Sequence, residues 1–208
     1  MKKYFIQKKK SGYTIIETMI AISLFIVIVM AGMGALLNAN LLHKKSQSMR
    51  SIIDNLNFVM EDMSKNLRTG YSYYCIIGSD TLANVNTTKS GQNCWGIAFE
   101  YQDGTADPND QWVYYIGPDT SIPDSMAIWK STAGPYTTSS FIKLTPNEVV
   151  IDAAKSSFSI IGAEPPPESP GPDQQPFVTI KLVGSITYNN VVSPFILQTS
   201  VSQRQIDI

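Results

Sequence analysis

The feature that most constrains this chain is an uncharged and mostly apolar run of twenty residues near its N-terminus, from Thr18 to Leu37. A helix of about 20 residues, rising about 1.5 Å per residue, crosses the roughly 30 Å hydrocarbon layer of a membrane. The sequence therefore predicts a membrane-spanning helix. The run follows a cluster of five lysines, which are Lys2, Lys3, Lys8, Lys9 and Lys10. Such clusters stay in the cytoplasm, so the rest of the chain is expected outside.

Length and charge narrow the class of protein further. The chain has 208 residues, which suits one folded domain plus an appendage and excludes a large multidomain enzyme. Its formal net charge is −1, but without residues 1–12 it has eleven basic and seventeen acidic residues, or −6. Nucleic-acid binding usually needs a basic surface that displaces counterions from phosphate, so no nucleic-acid partner is expected.

Three interpretations fit this N-terminus: an ordinary cleaved secretory signal, a plain membrane anchor, or a specialised leader that is cut before the apolar run. An ordinary signal has an apolar region of about 7–15 residues, which is shorter than this run. The small residues from Ala31 to Ala35 would still offer a signal peptidase a cleavage site.

One carboxylate stands at the head of the apolar run. Glu17 lies four residues after Tyr13, and a charge inside a membrane segment is a candidate functional residue because its insertion is costly. Such a carboxylate needs a cationic partner. Cleavage after Gly12 would create one, because Tyr13 would then carry a free α-amine that is protonated at neutral pH.

The segment Lys8 to Gly12, followed by Tyr13 to Ala21, resembles the class III signal peptide of type IV pilins and type II secretion pseudopilins. The resemblance implies that prepilin peptidase cleaves between Gly12 and Tyr13. It also implies N-methylation of Tyr13 and a role for Glu17 in assembly, as the fifth residue of the mature chain.

Within that family the layout resembles a J-type minor pseudopilin. The resemblance is carried by three segments, which are Phe58 to Arg68, the pair Tyr114-Tyr115, and Phe195 to Arg204. It implies a structural subunit that is incorporated into, or initiates, a type IV pilus or a type II secretion pseudopilus. The implied partners are prepilin peptidase, other major and minor pilins, an inner-membrane assembly platform and the membrane.

The implied location is the cytoplasmic (inner) membrane, crossed once with the N-terminus in the cytoplasm, and after processing an extracytoplasmic filament or its tip. The alternative is a membrane-anchored β-domain that binds a ligand or surface, like an adhesin, without entering a filament. An enzyme is not expected, because the single His43 lies beside two lysines near the membrane segment and no nucleophile or phosphate-loop motif is present. No cofactor is expected either.

The pattern divides the chain into four parts: a leader at 1–12, a membrane and assembly helix at 13–37, an amphipathic continuation at 38–70, and an extracytoplasmic β-rich domain at 71–208. No proline interrupts residues 13–67, so one helix from Tyr13 to Thr69 is predicted. Its continuation has an apolar stripe at helical spacing, formed by Met49, Ile52, Ile53, Leu56, Val59, Met60, Met63 and Leu67. Its solvated side is expected to comprise Ser51, Asp54, Asn55, Asp62 and Lys65.

After Gly70 the pattern changes to short strands separated by turns. The predicted strands are Tyr71–Ile77, Trp95–Tyr101, Trp112–Ile116, Met126–Lys130, Phe141–Leu144, Val149–Ala153, Ser157–Ile161, Phe177–Val183 and Phe195–Ser202. The proline-rich segment 165–176 is predicted to be a surface loop. The predicted fold class is therefore α+β, a pilin-like roll in which a long N-terminal helix packs against an antiparallel sheet.

Two further sites are suggested by residue type. Cys75 and Cys94 are the only cysteines, both fall outside the membrane on this topology, and a disulfide is predicted there. The oxygen-rich segment from Asp103 to Asp110 could coordinate calcium, but it lacks the spacing of an EF-hand, so a solvated turn is the preferred interpretation. No metal site is predicted, since His43 and two thiols supply too few ligands.

Overall fold

The computed structural model describes residues 12–82, 87–101, 110–134, 140–164, 175–189 and 191–204. Most of the predicted leader, residues 103–109 of the calcium candidate and residues 165–174 of the proline-rich loop lie outside these ranges. The chain divides into two compact units, Met1–Ser46 and Gln47–Ile208. The fold is α+β, with one long N-terminal apolar helix and antiparallel sheets.

The helix α1 extends over Ile15–Thr69 without interruption. Its continuity follows from the absence of proline, because Gly32 and Gly34 each cost only about 1 kcal/mol relative to alanine. The helix begins two residues later than predicted, since Thr14 precedes it as the capping residue. It ends at Thr69 as predicted, where a Cβ on Gly70 would overlap the Phe99 ring.

In the second unit, one stripe of α1 is buried against the strands. The buried residues are Ile52, Leu56, Val59, Met60, Met63, Asn66 and Leu67. This confirms most of the predicted stripe. Ile53 was assigned wrongly, because its side chain is 40% exposed, and Met49 is only partly buried.

Ten strands follow the helix. They are β1 (Tyr71–Ile76), β2 (Gly91–Cys94), β3 (Gly96–Glu100), β4 (Trp112–Pro118), β5 (Met126–Ser131), β6 (Ile142–Lys143), β7 (Val149–Ile151), β8 (Ser157–Ile161), β9 (Phe177–Tyr188) and β10 (Val191–Ser202). Nine of them correspond to predicted strands; β8 has the predicted ends, and the ends of the other eight are shifted. The strand β2 was not predicted, and β9 and β10 are longer than predicted because they continue into one hairpin.

The strands form two antiparallel sheets, where a single sheet was expected. One has the order β1-β3-β4-β5-β6; the other has the order β10-β9-β8-β2, with β7 also paired to β9. In β9, the side chains of Val178, Ile180 and Leu182 are buried while Lys181 is exposed, so one face of the strand packs and the other is solvated. The inner faces of both sheets and the buried stripe of α1 share one core.

Candidate functional site

The candidate processing and assembly residues lie at the start of α1. Gly12 and Tyr13 precede the helix, and the Tyr13 side chain is 83% exposed. An added Cβ at Gly12 would meet no described atom within 4 Å. The backbone on both sides of the predicted cleavage position is therefore accessible in the described part of the chain.

Thr14 caps the helix and gives Glu17 a local role that the sequence-based prediction missed. The backbone N–H of Glu17 donates to Thr14 Oγ1 at 3.4 Å and to the Thr14 carbonyl oxygen at 3.1 Å. A threonine followed three residues later by a glutamate is the capping-box pattern. A carboxylate in the first turn is also stabilised by the positive end of the helix dipole. Both effects favour a glutamate at position 17 within a single chain, without any contribution from assembly.

Two hydroxyl groups in the first part of α1 form hydrogen bonds within the helix itself. Thr18 Oγ1 donates to the Ile15 carbonyl at 2.8 Å, and Ser23 Oγ donates to the Ile20 carbonyl at 2.9 Å. Such internal bonds remove the need for water at these side chains. This part of the helix is therefore suited to an apolar environment.

The first unit exposes a long apolar helical surface, here called the apolar surface. Its large exposed side chains are Ile15, Ile16, Met19, Ile20, Ile22, Leu24, Phe25, Ile26, Val27, Ile28, Met30, Met33, Leu36, Leu37, Leu41 and Leu42, each at least 50% exposed. They occur on every side of the helix. Among the described helices, α1 is long and apolar enough to span a membrane. This arrangement is compatible with a single-pass anchor.

A polar network ties the second part of α1 to the sheet of β4 and β5. Asp62 Oδ2 accepts hydrogen bonds from Tyr114 Oη at 3.1 Å and from Lys130 Nζ at 2.8 Å. Asn66 Nδ2 donates to Tyr114 Oη at 2.8 Å and to Asp62 Oδ1 at 3.0 Å. Burial raises the pKa of the Tyr114 hydroxyl well above its usual range. Because its carboxylate bonds to Tyr114 and Lys130, Asp62 was wrongly assigned to the solvated side.

The same lysine also contacts aromatic rings. Lys130 Nζ lies 4.7 Å from the centre of the Trp112 ring and 5.5 Å from that of Tyr114, within cation–π range. Trp112 stacks in turn on Tyr101, with 4.2 Å between ring centres. Because its partners come from α1 and β4, Lys130 fixes the helix to the sheet, which is a structural role.

Cys75 and Cys94 are joined by a disulfide with an S–S distance of 2.03 Å. Cys75 belongs to β1 of the first sheet and Cys94 to β2 of the second, and both side chains are fully buried. The bridge therefore links the two sheets inside the core. A Cβ at Gly91 would lie 2.5 Å from Cys75 Sγ, so this close approach requires glycine.

Among the described residues, no group of three or more His, Cys, Asp or Glu side chains is placed to hold a metal ion. Of the calcium candidate only Asp110 is described. The predicted site residues fall into two separate places: Gly12, Tyr13 and Glu17 lie in the first unit, while the cysteines lie in the second.

Comparison of the chain with known proteins finds no matching family model, no similar curated protein and no similar solved structure.

Proposed function

We propose that this protein is a minor pilin or pseudopilin, made as a membrane precursor, cleaved between Gly12 and Tyr13 and inserted into a filament or its initiating tip. The observation that carries the proposal is the apolar surface of α1, headed by a single carboxylate at Glu17 and preceded by Gly12. An anchor needs only the apolar surface. A subunit that exchanges lipid for neighbouring helices also benefits from a polar group that sets their register.

The charged groups at the start of the helix support the exchange of lipid for neighbouring helices. After cleavage, the ammonium group of Tyr13 and the carboxylate of Glu17 would be opposite charges one turn apart, and their attraction is stronger in lipid than in water. A neighbouring subunit offers the same pair, so each carboxylate has a second candidate partner. The second unit, held by its disulfide and its polar network, would remain folded outside the membrane.

N-terminal sequencing of the protein from cells that contain prepilin peptidase tests the processing step. We expect the mature chain to begin at Tyr13, and Gly12→Val to leave the precursor uncut because a branched side chain obstructs the scissile bond. A mature terminus near Ala35, or a wild-type chain that retains Met1, would contradict the leader assignment.

The assembly step is tested by two substitutions at Glu17, because capping must be separated from charge. Gln is accepted at this capping-box position, so Glu17→Gln retains the local helix start and removes only the charge. Glu17→Ala removes both. We expect both variants to be processed and to reach the membrane in normal amounts, with recovery in sheared or secreted filaments reduced about tenfold or more.

Glu61→Gln is the matched control, since Glu61 is an exposed carboxylate of the same helix in the second unit. It should assemble at the wild-type level. If Glu17→Gln assembles normally while Glu17→Ala does not, the residue acts as a cap. If both assemble normally, the membrane-anchored binding module becomes the better description.

A further inference from the structure

The apolar surface of α1 ends directly before a pair of lysines. Leu42, its last residue, is 67% exposed, and His43, Lys44 and Lys45 follow it. The side chain of Lys44 is exposed and that of Lys45 is partly exposed. No Asp, Glu, Lys or Arg lies between Glu17 and this pair. The uncharged part of the helix therefore has a charged residue at each end.

The distance between these two ends matches the thickness of a whole bilayer. Glu17 and Lys44 are 27 residues apart in one continuous helix, or about 40 Å at about 1.5 Å per residue. A bilayer is about 40–45 Å thick when both headgroup layers are included, of which about 30 Å is hydrocarbon. A helix that places Glu17 at one face of the bilayer therefore places Lys44 and Lys45 at the other.

The two lysines lack the carboxylate partners that several lysines of the second unit have. Four lysines there lie 2.6 to 2.8 Å from an aspartate oxygen, namely Lys89, Lys130, Lys143 and Lys155. Among the described residues, Lys44 and Lys45 form no ion pair. The next acidic residue in the sequence is Asp54, nine positions after Lys45. The counter-charge for this pair is therefore expected from outside the chain.

The neighbouring residues indicate which kind of anion this is. A soluble anion would meet only the lysines, whereas an anionic phospholipid also covers the exposed leucines beside them. The long apolar stem of a lysine lies along such a surface while its ammonium group reaches the headgroup layer. Near an anionic membrane surface, each lysine favours binding by about fivefold. A phospholipid therefore complements both the charge and the apolar side chains.

We propose that Lys44 and Lys45 bind anionic phospholipid headgroups at the extracytoplasmic end of the membrane-spanning part of α1. The proposal rests on the membrane anchoring in the proposed function, and it does not depend on filament assembly. Cleavage after Gly12 would remove the five lysines of the leader and leave the Tyr13 ammonium group balanced by Glu17. In the processed chain, the lysine pair is then the main electrostatic contact with lipid, and it sets the depth of the helix.

Lipid-specific quenching of a fluorophore beside the lysines tests the proposal. The full chain carries bimane on Ser46→Cys, because Ser46 is exposed and the native cysteines are bonded to each other. It is placed at low salt in nanodiscs of phosphatidylcholine with a minority of phosphatidylglycerol. Acyl-chain bromine is carried by the phosphatidylglycerol in one preparation and by an equal amount of phosphatidylcholine in the other. From the difference in quenching, we expect phosphatidylglycerol to be enriched about fivefold or more.

Charge variants show whether the two lysines cause this enrichment. Lys44→Gln with Lys45→Gln should reduce it to about one, whereas Lys44→Arg with Lys45→Arg should keep it because the charge is retained. The matched control is Lys65→Gln with Lys181→Gln, which removes the same charge from exposed lysines of the second unit. It should leave the enrichment unchanged. High salt should weaken the enrichment in the wild-type sequence, because it screens the attraction.

Equal quenching by the two brominated lipids, or an enrichment that the double glutamine variant retains, would overturn the proposal. A second probe on Ile28→Cys separates this failure from a failure of the membrane anchor, since Ile28 lies near the middle of the apolar surface and is 65% exposed. Quenching at position 28 without quenching at position 46 would place the lysines outside the bilayer and overturn the proposal alone. No quenching at either position would overturn the membrane-anchored function as well.

Discussion

The two parts of α1 differ in what surrounds their side chains and in where their polar groups find hydrogen-bond partners. In the first unit, the side chains of the helix lie exposed, and the hydroxyl groups of Thr18 and Ser23 bond to residues three positions away. In the second unit, one face is buried and Asp62 bonds to residues 52 and 68 positions away. The first part therefore depends on surroundings that the chain does not supply, whereas the second is stabilised by the chain itself.

The comparison predicts that one substitution will have very different effects in the two parts. Leu56 is 1% exposed and Leu24 is 57% exposed. We expect Leu56→Ala to destabilise the second unit by about 2–5 kcal/mol, through lost burial and a residual cavity. Leu24→Ala should change the unfolding free energy of the second unit by less than about 0.5 kcal/mol.

Urea unfolding of the full chain in detergent, followed by tryptophan fluorescence, measures this difference. All three tryptophans lie in the second unit, so the signal reports on that unit alone. Equal shifts of the two midpoints would show that the apolar surface also stabilises the second unit, so that the two parts of α1 do not differ in this respect.

The sequence predicted the helix well because its signal is periodic and local. The stripe from Ile52 to Leu67 was found by spacing alone, but spacing could not assign residues at the margin of the stripe. Ile53 lies outside the packed face, and Asp62 turns toward the sheet because Tyr114 and Lys130 meet it there. Those partners come from distant strands, which no local pattern reveals.

The sheets were harder to predict because pairing is not local. The strand β2 was missed because Gly91, Gln92 and Asn93 have low strand propensity, and Asn93 adopts a positive φ of 58°. Its antiparallel pairing with β8 places it in a sheet. The presence of two sheets likewise depends on the chain passing from β1 through β2 to β3, an order that strand patterns do not encode.

Within the second unit, the disulfide is expected to make the next largest contribution to the unfolding free energy. The loop it closes has a sequence separation of 19, which corresponds to about 3 kcal/mol on the chain-entropy model. We expect Cys75→Ala with Cys94→Ala to lower the unfolding free energy by about that amount while the apolar surface keeps its helical content. Alkylation without reductant should add no mass to the wild-type protein. Two added labels on the folded protein would contradict the bridge.

The smallest expected effect lies at the start of the first unit, where Thr14 caps α1. Removing a capping hydroxyl costs about 1 kcal/mol, or about fivefold in a local opening equilibrium. We expect Thr14→Ala in detergent to speed amide hydrogen exchange at Glu17 by about fivefold, because the Glu17 N–H bonds to the Thr14 hydroxyl. Thr14→Ser keeps the hydroxyl and should leave exchange nearly unchanged. The unfolding midpoint of the second unit should be the same in both variants, since its core contains no residue of the first turn. A shift of that midpoint would show that the helix start and the packed core are coupled, whereas unchanged exchange in Thr14→Ala would show that the first turn does not depend on this cap.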